Sequence, residues 1–308
     1  MTDHPSSSTT RLAVLMSCYN RRDTTLSCLK SLTAQASPNI RIKVYLVDDG
    51  STDGTAAAVS ADYPETTILQ GNGALFWVGG MRLAFAAAMQ AGHDHYLWLN
   101  DDTILEPDAI ATLIATHRAL QAQGQSDAIV VGSVKDATSG LLTYGGRVRS
   151  TRHFYHKFQA VEPGDSPKQC DTMQGNCVLI PQSVAEKVGN IDDVFIHTMG
   201  DLDYGLRAGQ LGCSVWLAPG YLGTCSQNSV RGSWVDTQTS VFERLQKVTQ
   251  PKAFPLKAWT VFARRYKGRL WFLYWGLPYL RAVVGYRQLS ASPTFRADSY
   301  RASSHADS

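Results

Sequence analysis

Three polar residues, Asn100, Asp101 and Asp102, directly follow the apolar run at residues 96–99. That run is short and partly aromatic, so it predicts a buried strand. Unpaired carboxylates are costly to bury, and a hard cation such as Mn²⁺ or Mg²⁺ prefers their oxygens. Because adjacent strand residues point to opposite faces, we expect Asp102 to bind the metal and Asp101 to contact ligand hydroxyl groups. The alternative is that these residues only cap a helix that begins near Pro107.

The elements that must position these residues alternate between strand and helix, which predicts parallel βαβ units in an α/β fold. Ligands of such sheets bind beyond the carboxyl ends of the strands. Three strand ends here carry polar residues, namely Ser17, Asp48–Asp49 and Asp101–Asp102. The predicted strands cover residues 12–16, 42–47, 68–69 and 96–99, and a helix is expected from Met81 to Met89 after Gly79 and Gly80. Residues 151–170 are polar and aromatic and are expected to form a loop.

Composition narrows the class of protein. The chain has 308 residues and a net charge of +3, which argues against a general polyanion-binding role. Its six cysteines form no C-x-x-C pair, and with no secretory signal they indicate reduced thiols in a cytosolic protein. No apolar run reaches the length of a membrane span. Residues 1–10 and 290–308 are expected to be disordered.

Two common nucleotide-binding loops are missing from the sequence. There is no G-x-G-x-x-G after the first predicted strand and no G-x-x-x-x-G-K-[ST] anywhere. Side chains and a metal would therefore have to bind any nucleotide. A nucleotidyltransferase is a weaker alternative, because residues 17–22 are not glycine-rich.

Three blocks carry a resemblance to a known family: LMSCYNR at residues 15–21, VDDGSTDGT at 47–55 and LNDD at 99–102. In this order and spacing the chain resembles the family 2 glycosyltransferases, through about residue 225. The resemblance implies a GT-A type, Rossmann-like mixed sheet flanked by helices. It also implies a nucleotide-diphosphate sugar as donor, carrying UDP or dTDP.

The resemblance implies roles for individual residues. Ser17 and Asp49 would contact the base, with Asp49 accepting from the ring imide of uracil or thymine. Residues 100–102 match the D-x-D position of the family with Asn first, which leaves Asp102 as the metal ligand. The remaining donor-binding predictions are Asn20, Gly79, Gly80, Arg82, Asn100 and Asp101.

An acidic pair at the start of a predicted helix matches the position of the catalytic base in the family. Asp201 falls there, with Gly200 in place of the usual acidic residue, and Asp203 is the second candidate. An alcohol is a poor nucleophile at neutral pH, so a carboxylate must accept its proton. The helix dipole stabilises an ionised carboxylate at this end. The alternative is that Asp201 only caps the helix.

The family often supplies a histidine as a further metal ligand, and Cys225 stands at about that position. A thiolate suits Mg²⁺ or Mn²⁺ poorly. Either His197 substitutes from another loop, or Asp102, water and the diphosphate hold the metal. Gly175 and Asn176 are expected to bind the acceptor. Residues 226–240 have the composition of a lid, from which Arg231 would reach the diphosphate.

The C-terminal stretch is basic and aromatic. Residues 252–301 contain ten Lys or Arg and one acid, Asp298, interleaved with large aromatic residues. This pattern fits an amphipathic helical extension on an anionic membrane. The alternative is a pair of helices packed on the catalytic domain or on a second subunit of a homodimer. Nucleic acid is not expected, because no nucleic-acid-binding module precedes the stretch.

The sequence therefore predicts a catalytic domain at residues 11–240, with a nucleotide-sugar half at 11–125 and an acceptor half at 126–240. A helical extension follows at 241–289. The expected activity is metal-dependent, inverting transfer of a sugar, and the resemblance of residues 173–208 to rhamnosyltransferases of the family makes a deoxysugar such as rhamnose the first choice. The resemblance also implies a glycan or lipid-linked acceptor of bacterial surface polysaccharide synthesis, at the inner face of the cytoplasmic membrane. A catalytically inactive binding protein is the alternative.

Overall fold

The computed structural model of the protein describes residues 9–35, 37–150, 158–226, 233–236 and 238–284. The first half of the chain alternates strand and helix, as its apolar runs predict. The elements are β1 (Thr10–Cys18), α1 (Arg22–Thr33), β2 (Ile40–Asp48), α2 (Thr55–Asp62), β3 (Thr67–Gln70), α3 (Phe76–Ala91) and β4 (His95–Leu99). The strands pair in parallel, β1 with both β2 and β4, and β2 with β3.

The second half extends the same sheet with strands of both directions. Its elements are β5 (Ile104–Leu105), α4 (Ala109–Ala122), β6 (Ala128–Lys135), β7 (Leu142–Tyr144), β8 (Gly146–Arg149), β9 (Phe158–Ala160), β10 (Lys168–Cys170), β11 (Thr172–Met173), β12 (Cys177–Pro181), α5 (Gln182–Val188), α6 (Gly200–Gln210) and β13 (Ser214–Thr224). The main path through the sheet runs β10-β13-β6-β12-β4-β1-β2-β3. Because β12 is antiparallel to β4, the sheet is mixed, as expected.

Helices cover both faces of the sheet. On one face, α3, α5 and α6 pack around Trp98, whose ring centroid lies 4.9 Å from that of Tyr204. On the other face, α1, α2 and α4 pack around leucines such as Leu29 and Leu97. Fully burying a side chain of this size stabilises the fold by roughly 1.5–3 kcal/mol. The two cores fix the sheet, and with it the positions of the strand ends.

Two predicted boundaries were wrong. The helix expected from Met81 begins at Phe76, so Gly79 and Gly80 lie inside its first turns. Residues 151–170 were expected to form a loop, but β9 and β10 lie within that range, and β8, β9 and β11 form a small separate sheet. Residues 151–157 lie outside the described part of the chain.

Three helices follow the sheet: α7 (Val241–Val248), α8 (Leu256–Tyr266) and α9 (Trp271–Val284). A capping box begins α7, in which Ser240 and Glu243 bond each other's backbone amides. The predicted C-terminal helical extension is therefore confirmed. Among the helices of the described residues, none combines the length and the apolarity needed to cross a bilayer. Most of the tails predicted to be disordered (residues 1–8 and 290–308) and Arg231 of the predicted lid lie outside the described residues.

Candidate active site

A cavity of about 410 Å³ lies at the carboxyl ends of β1, β2 and β4, where the sequence predicts a ligand site. The start of α6 lies across from these strand ends and closes the cavity from the second half of the chain. The residues that line it are Ser17, Cys18, Tyr19, Arg21, Asp49, Gly73, Phe76, Trp77, Asn100, Asp101, Asp102, Tyr144, Gly175, Asn176, His197, Asp201 and Lys252.

Asp101 and Asp102 face the same guanidinium group. Arg21 Nη1 donates to Asp101 Oδ1 at 3.2 Å and to Asp102 Oδ2 at 2.7 Å. The expectation that they point to opposite faces was wrong, because β4 ends at Leu99 and both acids lie in the turn after it. The alternative of a helix cap also fails, since Asp108 occupies the cap position of α4. The acidic turn therefore belongs to the cavity.

Asp101 is the more buried of the two acids. Burial, which outweighs the opposing effect of Arg21, and the charge of Asp102 raise the pKa of its carboxyl to about 7. Its Oδ2 atom is buried and has no hydrogen-bond partner among the described residues. An orphaned carboxylate oxygen beside the partly exposed Asp102 fits a hard cation, which prefers oxygen ligands.

No preformed metal cage exists within the described ranges, where no three His, Cys, Asp or Glu side chains are grouped to hold an ion. Mg²⁺ is commonly held by one or two carboxylates together with substrate phosphates, and Asp102 meets this requirement. A cation at this site would therefore depend on oxygens supplied by a bound ligand.

Cys225 lies beside the acidic turn, and His197 lines the same cavity. Cys225 Sγ donates to Asp102 Oδ1 at 3.2 Å, and burial together with the Asp102 charge raises the pKa of the thiol to about 12. The thiol is therefore neutral and is not a thiolate ligand. His197 lines the cavity, and burial, followed by Lys252 and Arg21, lowers its pKa to about 4. Its Nδ1 has no partner among the described residues.

Asp49 lines the cavity but already holds a loop of the protein. Its Oδ1 accepts from the Gly73 amide at 2.8 Å, and its Oδ2 accepts from the Phe76 amide at 3.0 Å. These bonds fix the turn that leads into α3. A carboxylate has about four acceptor positions, so Asp49 retains capacity for one more donor.

Gly80 has a packing role and is not among the lining residues. A Cβ atom at this position would overlap the Ser17 side chain, so only glycine lets α3 approach the end of β1. Gly79 likewise lies in α3, against Leu75. Of the two glycines predicted to bind the donor, Gly80 instead sets the position of Ser17, and Gly79 packs against Leu75.

Replacing Gly80 with alanine is expected to lower the free energy of unfolding by about 1–3 kcal/mol, because the new methyl group overpacks this contact. The midpoint of urea unfolding measures the effect. Gly209 is the matched control, since a Cβ there meets nothing within 4 Å in α6. A Gly80→Ala protein as stable as the Gly209→Ala protein would contradict the close contact.

Arg82 and Asn20 also lie outside the lining. Arg82 is exposed on α3, where its Nη2 is 3.8 Å from Asp193, and its place beside the diphosphate stays a prediction. Asn20 Oδ1 accepts from the backbone amide of Thr52 at 2.7 Å, and the backbone amide of Asn20 donates to the Ser51 hydroxyl. Asn20 therefore joins the loops after β1 and β2.

Asp201 stands at the start of α6 and lines the cavity. Its Oδ2 accepts from the Gly175 amide at 3.0 Å, and its Oδ1 accepts from the Leu202 amide at 2.8 Å. Burial raises the pKa of Asp201 above its ordinary value, against the opposing effect of these bonds and of Arg147. The carboxylate is therefore fixed in orientation and is a stronger base than a free aspartate.

Asp203 is fully buried and points away from the cavity. Its Oδ1 accepts from Arg265 at 2.9 Å and from the Tyr266 hydroxyl at 2.7 Å, and its Oδ2 accepts from Arg207 at 2.8 Å. These three partners leave no path to a substrate, so its predicted role as second catalytic candidate was wrong. Asp203 instead joins α6 to α8.

Replacing Asp203 with alanine is expected to lower the free energy of unfolding by about 3–5 kcal/mol, because it leaves two arginines without their buried partner. Chemical denaturation measures the loss. Asp192 is the control, since it also pairs with Arg265 but is partly exposed, and its replacement should cost about 1 kcal/mol. Equal losses would show that the buried pairs of Asp203 do not hold α6 to α8.

Backbone strain is concentrated around the cavity. Among the described residues, three other than glycine have positive φ: Asn20 at 50°, Phe76 at 54° and Met199 at 70°. Phe76 lines the cavity, Asn20 precedes Arg21, and Met199 lies two residues before Asp201. Such conformations are costly and gather at functional sites.

Eight of the lining residues were not among the site residues predicted from the sequence: Cys18, Tyr19, Arg21, Gly73, Phe76, Trp77, Tyr144 and Lys252. Trp77 Nε1 donates to Asn100 Oδ1 at 2.7 Å, and a Cβ at Gly175 would overlap its ring. The Phe76–Trp77 pair before the two glycines was the available signal. Gly175 and Asn176, expected to bind the acceptor, both line the cavity. Lys252 was counted only as part of the basic stretch.

Known proteins share both sequence and fold with this chain. The galactofuranosyltransferase GlfT2 of Mycobacterium tuberculosis is 26% identical over 250 residues, covering 70% of this chain and 37% of GlfT2. The N-acetylglucosaminyl-diphospho-decaprenol L-rhamnosyltransferase of the same species is 26% identical over 200 residues, covering 58% of this chain and 63% of the relative. The chain thus spans less than two thirds of either relative.

Solved structures confirm the fold class. A mannosyltransferase from Pyrobaculum calidifontis, in complex with GDP-Man and Mn²⁺, superposes with a TM-score of 0.52 at 14% identity, covering 89% of this chain and 73% of the other. Residues 1–349 of S. aureus TarS give the same TM-score at 13% identity, with 88% and 73% covered. At these identities the likeness concerns the fold alone. The profile described as Glycosyl transferase family 2 matches residues 13–188, and the chain belongs to that family.

Proposed function

We propose that the protein is an inverting, metal-dependent glycosyltransferase. It moves a sugar from a nucleoside-diphosphate donor onto a hydroxyl group of a glycan or lipid-linked acceptor. The observation that carries the proposal is that one cavity is lined both by Asp102, after β4, and by Asp201, at the start of α6. Asp102 belongs to the predicted nucleotide-sugar half of the domain, and Asp201 belongs to the predicted acceptor half.

The nucleotide lies at the ends of β1 and β2 in this proposal. Asp49 is held by two backbone amides and keeps capacity to accept from a ring imide. Ser17 lies beside it in the lining and supplies a hydroxyl group. Because both side chains are fixed by the fold, they are suited to orient a pyrimidine base before the sugar is transferred.

The diphosphate lies at the acidic turn. Asp102 would hold a Mn²⁺ or Mg²⁺ ion, with His197 as a further neutral ligand, and the ion when bound would neutralise charge on the departing diphosphate. Arg21 already bridges Asp101 and Asp102 and places a second cation at this position. Its guanidinium stabilises the same charge as the leaving group departs.

Asp201 acts as the general base. The acceptor oxygen attacks the anomeric carbon, its proton passes to the Asp201 carboxylate, and the bond from that carbon to the diphosphate oxygen breaks. One displacement inverts the anomeric centre and needs no enzyme nucleophile. Cys18 is the thiol of the lining, and burial raises its pKa well above the ordinary value, so it is a poor nucleophile at neutral pH.

A deoxysugar such as rhamnose, carried by dTDP, is the donor we favour, with a UDP-sugar as second choice. Support comes from the rhamnosyltransferase among the relatives, whose name describes an acceptor carried on diphospho-decaprenol. The same name supports a lipid-linked acceptor in surface polysaccharide synthesis for this protein. Trp77 and Tyr144 offer aromatic faces for sugar rings at the cavity.

A screen of nucleotide sugars tests the proposal. The protein is mixed with each dTDP-, UDP- and GDP-sugar, with Mn²⁺, Mg²⁺ or EDTA. The melting temperature is measured first, and the release of nucleoside diphosphate is measured separately. We expect one donor to raise the melting temperature only with metal, and to be cleaved slowly by water. Stabilisation without cleavage or transfer would favour a binding protein, and no response to any donor would overturn the proposal.

The pH profile of transfer tests the base. Burial favours the neutral form of Asp201, so protonation begins at higher pH than for a free aspartate. A protonated base is inactive, so kcat/KM should fall as the pH drops through an apparent pKa above 3.8. Asp201→Glu is the control, because a change in the pH at which kcat/KM falls would assign the titrating group to residue 201. A flat profile down to pH 3.8, with the protein still folded, would contradict the role.

A further inference from the structure

The outward side of α9 is apolar along its whole length. Its five most exposed side chains are between 41% and 53% accessible, and all are apolar: Phe272, Leu273, Leu280, Val283 and Val284. Leu273, Leu277, Leu280 and Val284 follow the 4-3-4 spacing of a single helical stripe. A helix that faces water on one side normally carries polar residues there. The outward side of α9 therefore has the composition of a covered surface.

This helix is fixed to the rest of the protein on its inner side. Trp259 Nε1 of α8 donates to the Trp275 carbonyl at 2.9 Å, and the Tyr279 hydroxyl donates to the Phe254 carbonyl at 2.9 Å. From α7, Arg244 Nε donates to the Ala282 carbonyl at 2.9 Å. The exposed stripe is thus part of a rigid assembly.

The charges beside the stripe indicate what covers it. Residues 252–284 contain seven Lys or Arg and no Asp or Glu. Arg269 precedes the stripe and Arg281 lies near its end, while exposed Arg264 lies over the Trp271 ring at 5.5 Å. Two copies packed through this side would bring arginines together with no acid in α8 or α9 to pair them. An anionic surface with an apolar interior matches both the charge and the leucines.

We propose that the outward side of α9 is a docking surface for anionic lipid bilayers. The leucine stripe enters the boundary between headgroups and acyl chains, Arg269 and Arg281 contact lipid phosphates, and Trp271 lies at headgroup level. Docking needs no sugar donor, so it stands apart from the proposed reaction.

Docking also has a consequence for the cavity, and this consequence rests on the proposed function. Arg265 and Tyr266 of α8 both bond Asp203, two residues after Asp201 in α6. The path from the docked helix to the proposed base therefore runs through hydrogen bonds and buried packing. A bilayer held at α9 keeps the cavity at a fixed orientation and height, which suits an acceptor carried on a lipid.

Sedimentation of the full chain with vesicles tests the docking surface. Vesicles of phosphatidylglycerol and phosphatidylcholine are compared with vesicles of phosphatidylcholine alone, without donor or metal. The Leu273→Asp/Leu280→Asp variant should bind the anionic vesicles at least about ten-fold more weakly. The Arg269→Glu/Arg281→Glu variant should also lose about ten-fold or more. The matched controls are exposed Leu141→Asp, between β6 and β7, and Lys30→Glu on α1, which should bind as wild type does.

Three results would overturn the proposal. The first is wild-type protein that does not sediment with anionic vesicles. The second is a wild-type protein that is a dimer and binds no vesicles, and whose leucine variant is a monomer, because this assigns the stripe to a second copy. The third is a wild-type protein that binds no vesicles and whose leucine variant has a much lower melting temperature, because this assigns the cover to residues 285–308. Transfer to a water-soluble acceptor should stay unchanged in the variants, so loss of docking is distinguishable from failure of the proposed reaction.

Discussion

Replacing Asp201 with asparagine is expected to lower the rate of sugar transfer by roughly 10²–10⁴-fold, the usual contribution of a general base. Asparagine keeps the size of the side chain, and its oxygen can still accept from the Gly175 amide, so the cavity keeps its shape. It cannot take a proton from the acceptor. Donor affinity should therefore remain within about two-fold of wild type, because the base acts on the acceptor.

The matched control for this variant is Asp193→Asn. Asp193 is exposed, lies in the segment before α6, and its ion pair with Arg82 is 3.8 Å long. Single-turnover transfer and calorimetric titration of the donor separate chemistry from binding. A normal rate in Asp201→Asn would remove it from the mechanism, and equal losses in both variants would point to a general effect of charge near α6.

Replacing Asp102 with asparagine is expected to have an effect of similar size, by a different route. The neutral amide is a weaker ligand for a hard cation, and Arg21 retains only Asp101 as its carboxylate partner. Donor binding should lose its dependence on Mn²⁺, and transfer should fall by roughly 10²–10³-fold. Titration of Mn²⁺ in the presence of the nucleoside diphosphate measures the first effect, and initial rates measure the second.

Asp108→Asn is the control, because Asp108 is exposed six residues further along and makes no side-chain cap bond. It should bind Mn²⁺ with nucleoside diphosphate as wild type does. An Asp102→Asn protein that binds Mn²⁺ and nucleoside diphosphate as tightly as wild type would show that other residues hold the cation. Loss of transfer with unchanged metal binding would restrict Asp102 to its contact with Arg21.

The sequence was informative where polar residues end apolar strands. The runs before Ser17, Asp48 and Asn100 predicted β1, β2 and β4, and parallel strands bring such ends to one edge. This is why Asp49 and Asp102 line one cavity, which Asp201 joins from the start of α6. The order of β12 and β6 in the mixed sheet was not predictable from periodicity, because antiparallel insertion depends on long-range pairing.

Errors arose where a side chain already has a partner within the protein. Asp203 lies only two residues after Asp201, but this is about half a turn of α6, so its side chain points instead toward Arg207 and Arg265. Gly80 resembles a residue of a ligand-binding loop, but it lies within α3 because close packing on Ser17 requires glycine. A single sequence contains neither the register of a helix against its neighbours nor the partners that saturate a carboxylate.

A crystal structure of the protein with its nucleotide-sugar donor and Mn²⁺ would show whether the acidic turn holds the diphosphate and Asp201 faces the sugar. We expect the nucleotide base beside Asp49, the diphosphate and the metal on Asp102, and the anomeric carbon open toward Asp201. A donor bound outside this cavity, or a diphosphate and metal that do not contact Asp102, would contradict this expectation.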